Sequence, residues 1–313
     1  MKKKHIGSIY LTLAATIWGG TYVASKAVLA VIPPLELVWL RYLVALVALV
    51  VLGLITRQSW HVRRRDLPLI LTIGVIGYVI SIWAQFVGTQ LSSAQMGAMI
   101  TSATPAFMVV FAYFLLGEQF TLTKGISTCL ATLGVLLIVG VGEIGKSFRL
   151  GGMILGIAAL TWALMSVLVK LVPESYSKLV VTTYAILMAA VIITPFALLQ
   201  IDQAQLQALL RPAVCLEVLY IGTLSTAGAF FLWNKGLELI DAGSGGLFFF
   251  FQPLTGTLLG WLFLGERVGI IFWAGVALIC LGVLLAAKEP PEGFARVALP
   301  AGEPIKTSEG DGG

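Results

Sequence analysis

Charge is scarce in this chain of 313 residues. Asp, Glu, Lys and Arg make up 11% of it, where an ordinary soluble domain carries about 25%. With 58% hydrophobic residues and a mean hydropathy of +0.98, the chain has too little polar surface to remain in water. Histidine is nearly absent: His5 and His61 both lie outside the long apolar runs, and neither HExxH nor GxSxG occurs, so an intramembrane hydrolase lacks its metal or its nucleophile. The three cysteines, Cys129, Cys215 and Cys280, are odd in number and sit within apolar runs, which implies neither a disulfide framework nor a metal motif. No cofactor or metal is expected. There is no ring of charges and no filter-like string of the kind a channel uses. The net charge of +5 comes from basic residues scattered over short loops, without the patch that nucleic acid requires.

What is abundant is apolar sequence in runs of bilayer length. Spans of about 20 residues fall at 6–30, 35–55, 67–89, 93–116, 123–142, 152–172, 178–200, 213–237, 243–265 and 268–287. Runs this long and continuous predict helices, because lipid leaves backbone groups no partner except one another and barrel strands would alternate. The expected fold class is therefore an all-α integral membrane protein with ten transmembrane helices. The opening MKKKHIG precedes an apolar run too long for a signal peptide and without a small-residue cleavage site, so it reads as the uncleaved first span.

Loop charge sets the orientation. With the N-terminus inside, Lys2, Lys3, Lys4, Arg57, Arg63, Arg64, Arg65, Lys124, Lys170, Lys178, Lys235, Lys288, Arg296 and Lys306 lie on the cytoplasmic side. Only Lys146, Arg149, Arg211 and Arg267 lie opposite, fourteen against four. Both termini are expected in the cytoplasm, the second at the end of a Pro-, Gly-, Glu- and Ser-rich tail over 288–313 that composition marks as disordered.

The chain contains one unit twice. Trp18 and Lys26 in TIWGGTYVASK recur 144 positions later as Trp162 and Lys170 in LTWALMSVLVK. The stretch from Gly88 aligns with that from Gly236 at an offset of 148, placing Pro105 on Pro253, Gly117 on Gly265 and Glu118 on Glu266. Chance agreement would not keep both order and spacing. The two units are 1–145 and 146–287, five spans each. An odd number of crossings makes them inverted repeats, which can exchange outward-open and inward-open states about an axis in the membrane plane.

The string WGGTYVASKAV, the Arg41-Tyr42 pair early in the second span, the prolines within the fourth and ninth, and the GE dipeptides ending both together resemble the EamA-type transporters of the drug/metabolite transporter superfamily. The resemblance covers residues 6–287. It implies a two-repeat carrier of the bacterial inner membrane that exports small metabolites, amino acids among them, through a cavity lined by helices 1, 3, 4, 6, 8 and 9. A small-molecule substrate and the lipid bilayer are then the partners, with the protein acting as a monomer.

Candidate cavity residues are polar or aromatic side chains on those helices. They are Trp18, Tyr22 and Ser25 on the first, at i, i+4 and i+7, and Tyr78, Ser81 and Gln85 on the third. The fourth offers Gln95, Met99 and Ser102, the sixth Trp162 and Ser166, the eighth Phe230, Trp233 and Asn234, and the ninth Phe248 and Gln252. Single aromatics also anchor at interfaces and small hydroxyls also pack helices, whereas a buried amide needs a partner and favours a wet interior. Lys26 and Arg41 are basic residues placed inside spans; Lys26 suits a substrate carboxylate or a protein acid, and Arg41 an outer gate, against snorkelling to the interface. Pro105 and Pro253 predict paired kinks, and Glu118 and Glu266 boundary caps with gating contacts. Gly140, Gly142 and Gly145 spell GxGxxG without the preceding strand a dinucleotide site needs. The pairs Gly152/Gly156 and Gly256/Gly260 predict close helix packing. The alternative reading is efflux of drugs or organic cations, which aromatic lining also suits; such a carrier needs an acid near the midplane, and none is evident.

Overall fold

The computed structural model describes residues 2–92, 97, 100–101, 103–139, 146–264 and 270–288. The GxGxxG glycines, Gln95, Met99, Ser102, Glu266 and the tail from 289 lie outside the described residues, and of Tyr22 and Lys26 only the backbone is described. Every regular element among the described residues is helical. In chain order they are α1 (Lys2–Val28), α2 (Pro34–Ile55), α3 (Arg64–Leu91), α4 (Thr104–Leu116), α5 (Leu122–Val139), α6 (Lys146–Leu168), α7 (Lys178–Gln200), α8 (Pro212–Leu239), α9 (242–264) and α10 (Ile270–Lys288). A short helix, Gln203–Leu209, joins α7 to α8 and opens with a capping box between Asp202 and Gln205.

Among these residues five helical runs are long and apolar enough to cross a bilayer: Pro34–Ile55, Arg64–Leu91, Leu150–Leu171, Lys178–Gln200 and Pro212–Leu239. Their outer faces are apolar as well, with Val47, Leu199 and Leu216 largely exposed, the surface a protein presents to lipid rather than to water. The chain is a multi-pass membrane protein.

Packing repeats as the sequence does. Helix α1 lies against α8 and α9, and α6 lies against α3 and α4; α2 meets the middle of α8, and α7 the middle of α3. Exchanging the first five helices for the second five leaves this pattern unchanged. Close approaches match residue by residue. A Cβ on Gly236 would come within 3.2 Å of the Gly7 carbonyl, and one on Gly88 within 2.9 Å of the Gly151 carbonyl. Likewise a Cβ on Gly222 would meet the Arg41 carbonyl at 3.1 Å, and one on Gly74 the Ala185 carbonyl at 2.7 Å. Each pair maps onto the other at the offsets of 144 and 148. A Cβ on Gly222 would also meet Val44 Cβ at 2.5 Å, whereas Gly156 faces open space. Gly222→Val should therefore lower the detergent unfolding midpoint by several degrees through overpacking of about 1–3 kcal/mol, with Gly156→Ala near neutral; equal midpoints would dissociate the glycine from packing.

The third and eighth spans depart from regular α-helical winding. Residues Gly74–Ser81 of α3 and Ile221–Gly228 of α8 are wound as π-helix, again one repeat apart, and this widened turn brings Tyr78 and Ser225 into the interior. Pro105 and Pro253 each lie beside an interruption of regular winding. Pro105 sits in the first turn of α4 after a turn at Ala103, and Pro253 follows a 3-10 turn over Leu247–Phe250. In both places the missing amide hydrogen falls near the start of a helical segment, where it costs little. Of the pair Gly152 and Gly156, a Cβ on Gly152 would meet Ile100 Cδ1 at 3.3 Å, while among the described residues nothing lies within 4 Å of one on Gly156; the tightest approach of α6 is at Gly151.

Candidate functional site

The centre of the bundle is aromatic. Trp18 of α1 and Trp162 of α6, equivalent in the two repeats, meet edge to face at 5.2 Å between ring centroids. Phe230 lies 5.8 Å from Trp18 and 5.2 Å from Trp162, and stacks on Tyr78 at 4.9 Å. Phe249 and Trp233 close the group at 5.7 and 5.3 Å from Trp18. Edge-to-face and offset pairs of this kind add about 0.5–1.5 kcal/mol each beyond area burial.

Polar groups thread through these rings. Trp18 Nε1 donates to the Ser225 carbonyl at 2.9 Å, and Thr21 Oγ1 donates to Ser225 Oγ at 2.7 Å. Trp233 Nε1 donates to Ser166 Oγ at 3.0 Å. Asn234 Nδ2 donates to Thr182 Oγ1 at 2.8 Å and to the Tyr78 hydroxyl at 3.2 Å. Tyr42 in turn donates to the Tyr78 carbonyl, and Ser81 to that of Ala158. Three buried atoms in this zone have no partner among the described residues: Trp162 Nε1, Asn234 Oδ1 and Gln252 Oε1.

Beside the rings lies a small cavity of about 30 Å³ bounded by Trp18, Thr21, Arg41, Ile82, Gln85, Trp162, Ser225, Phe230, Phe249 and Gln252. Five of the residues proposed from sequence for the cavity are therefore on its wall: Trp18, Gln85, Trp162, Phe230 and Gln252. Tyr78, Ser166, Trp233 and Asn234 form the hydrogen-bonded layer packed against them. Ser25 and Phe248 are buried but absent from the wall; Phe248 stacks on Phe251. Arg41, expected at an outer gate, lines the cavity instead. Thr21, Ile82, Ser225 and Phe249 went unread. Thr21 shares the Trp18 stripe at i+3, a usable signal, whereas four consecutive phenylalanines at 248–251 carry no phase to single out Phe249.

A second cluster sits at one end of the bundle. Glu118, just past the left-handed Gly117 that ends α4 (φ 67°), accepts from the backbone amides of Ala242 and Gly243 at 2.8 and 3.0 Å and so caps the start of α9. Lys170 Nζ lies 3.8 Å and Lys124 Nζ 4.0 Å from its carboxylate, and Lys124 Nζ lies 3.6 Å from Asp241. Lys170 also donates to the Ile240 carbonyl at 2.6 Å. Two cations and two carboxylates, all largely buried, thus balance. Burial alone would raise the Asp241 carboxyl, but hydrogen bonds from Ser244 and the charges of Lys124 and Lys170 hold it below the usual carboxylate range. Among the described residues no group of His, Cys, Asp and Glu has the arrangement of a metal site.

Comparison with known proteins agrees with this architecture. The model of the EamA-like transporter family matches twice, over residues 5–140 and 149–288. The uncharacterized transporters YoaV and YetK of Bacillus subtilis (strain 168) are each 28% identical, over 91% and 93% of this chain and 97% and 91% of their own lengths. The permease-like protein YdzE of the same organism is 65% identical over 71 residues, 23% of this chain and 91% of that one. A crystal structure with 19% identity superposes with a TM-score of 0.73 over 90% of this chain and 96% of the other, which speaks to the fold. With two family matches spanning nearly all of its helical part, the chain belongs to the EamA-like transporter family.

Proposed function

We propose that this transporter is an alternating-access carrier of the bacterial inner membrane. Ten crossings form two inverted five-helix repeats, 1–145 and 146–287, with both termini in the cytoplasm, and the protein exports small metabolites such as amino acids. The observation that carries the reading is the exchange symmetry of the packing: α1 with α8 and α9 forms one bundle, and α6 with α3 and α4 the other, with the aromatic cavity between them. Two bundles of equivalent construction can rock about a central site and present it to either face at similar energy. The Glu118 cluster ties α4, α5 and the turn after α6 to the start of α9 at one end of the bundle.

A second reading, export of organic cations, is favoured by the aromatic wall, since cations bind ring faces; it is disfavoured by Arg41 on the same wall. Counterflow decides between them. Proteoliposomes loaded with unlabelled amino acids, organic acids or cationic dyes should exchange labelled amino acids saturably. Exchange of dyes alone would install the second reading, and exchange of nothing in the panel would remove carrier activity toward these classes.

A further inference from the structure

Arg41 is 2% exposed, and among the described residues no carboxylate lies within 4 Å of it. Its hydrogen bond runs from Nε to Thr226 Oγ1 at 2.7 Å, and Thr226 is itself committed to the Ile221 carbonyl at 2.6 Å. The guanidinium carbon lies 5.3, 5.6 and 6.0 Å from the ring centroids of Phe86, Phe230 and Tyr42. Such ring contacts return less than the cost of removing a cation from water. The Nε bond fixes the plane of the guanidinium and leaves the Nη groups for a forked acceptor, the geometry a carboxylate supplies.

The same cavity wall carries two further uncommitted atoms of opposite kind. Trp162 Nε1 is a buried donor and Gln252 Oε1 a buried acceptor, each without a partner among the described residues, on side chains only 6% and 3% exposed. An unpaired buried polar atom is destabilising unless something occupies it. A ligand that satisfies all three bears a carboxylate and, on another atom, a hydrogen-bond donor. We propose that the cavity is a carboxylate-binding site. Arg41 holds the anion, Trp162 Nε1 adds a second donor, and Gln252 Oε1 accepts from an ammonium or hydroxyl of the same small molecule. The inference deepens the carrier reading and rests on it only for the direction of traffic. An organic cation placed here meets the buried positive charge of Arg41 and is excluded by repulsion.

The test is equilibrium binding to the purified full-length protein in detergent, with counterflow measured in parallel. Labelled L-amino acids and short hydroxy acids are the probes, and the tightest is compared with its amide and its decarboxylated amine. The acid should bind at least about thirtyfold more tightly than either analogue, the loss expected when one partner of a buried charge pair is removed. Arg41→Gln should weaken the acid by a similar factor and leave the amide unchanged; Arg41→Lys should restore part of the affinity, a point charge without the fork. Should Arg41→Gln fail to fold, Gln252→Glu keeps Arg41 in place and supplies an internal anion, and must likewise displace the acid. Equal binding of acid and amine, indifference to both substitutions, or no binding by any acid in the panel overturns the site. Binding without counterflow removes the carrier reading and leaves the site standing. Counterflow of cationic dyes untouched by Arg41→Gln does the reverse.

Discussion

Replacing Glu118 with Ala should both destabilise the protein and loosen the end of the bundle where it sits. The carboxylate serves four partners at once: two backbone amides at the start of α9, and the ammonium groups of Lys124 and Lys170. Without it the cluster keeps Lys124, Lys170 and Asp241, a buried excess of one positive charge. Breaking a buried pair in this way costs about 3–5 kcal/mol, and two orphaned amides add about 1–3 kcal/mol each where water does not reach them. The expected reading is a detergent unfolding midpoint lowered by many degrees. It should be accompanied by faster maleimide labelling of a cysteine placed at Ser244, in a chain whose three native cysteines are Ala. Glu118→Asp, one methylene shorter, should fall between. An unchanged midpoint with unchanged labelling would show that the cluster ties nothing together.

The acid limb of stability follows from the same cluster. Asp241 is held below the usual carboxylate range by Ser244, Lys124 and Lys170, against the opposing effect of burial. Its folded-state pKa is thus below its unfolded value of about 4. The stabilisation it provides is complete above that unfolded value and is lost as pH falls through the folded one. Asp241→Asn should remove this acid-side slope and lower the midpoint at neutral pH.

The spans were legible because their signal is long and additive. The seventh matches to the residue, 178–200, and the second, third and eighth to within three residues, since a run of some twenty apolar residues has few other fates. The repeat was legible for the same reason, being spread over Trp18/Trp162, Pro105/Pro253 and the GE dipeptides. The π-wound turns of α3 and α8 were not, because widening a helix by one residue per turn leaves no mark on apolar composition. Charges gave the clearest misreading. Loop counting puts Lys124 and Lys170 on one membrane side, but loop position says nothing about burial, and their pairing with Glu118 depends on α9 starting beside the end of α4. The repeat supplies a clue that charge counting ignores: Lys26 stands 144 before Lys170, and Glu266 stands 148 after Glu118.

The two central tryptophans should part company under substitution, although the repeat makes them equivalent. Trp162 touches Trp18, Tyr78 and Phe230, and Trp18 touches Trp162, Phe230, Trp233 and Phe249, so either change to Ala removes a buried ring at about 3–5 kcal/mol and should abolish counterflow. The change to Phe separates packing from hydrogen bonding. Trp18 Nε1 is already bonded to the Ser225 carbonyl, and Trp18→Phe should lower the unfolding midpoint by an amount reflecting a bond of about 1 kcal/mol, leaving substrate affinity little altered. Trp162 Nε1 has no partner among the described residues, and the repeat mate of Ser225 is Gly77, whose neighbour is the Met165 side chain. Trp162→Phe should therefore leave the midpoint alone and weaken substrate binding by about tenfold. The reverse pattern, stability lost at 162 and affinity lost at 18, would assign the free N–H a structural role and move the ligand to the other side of the ring pair.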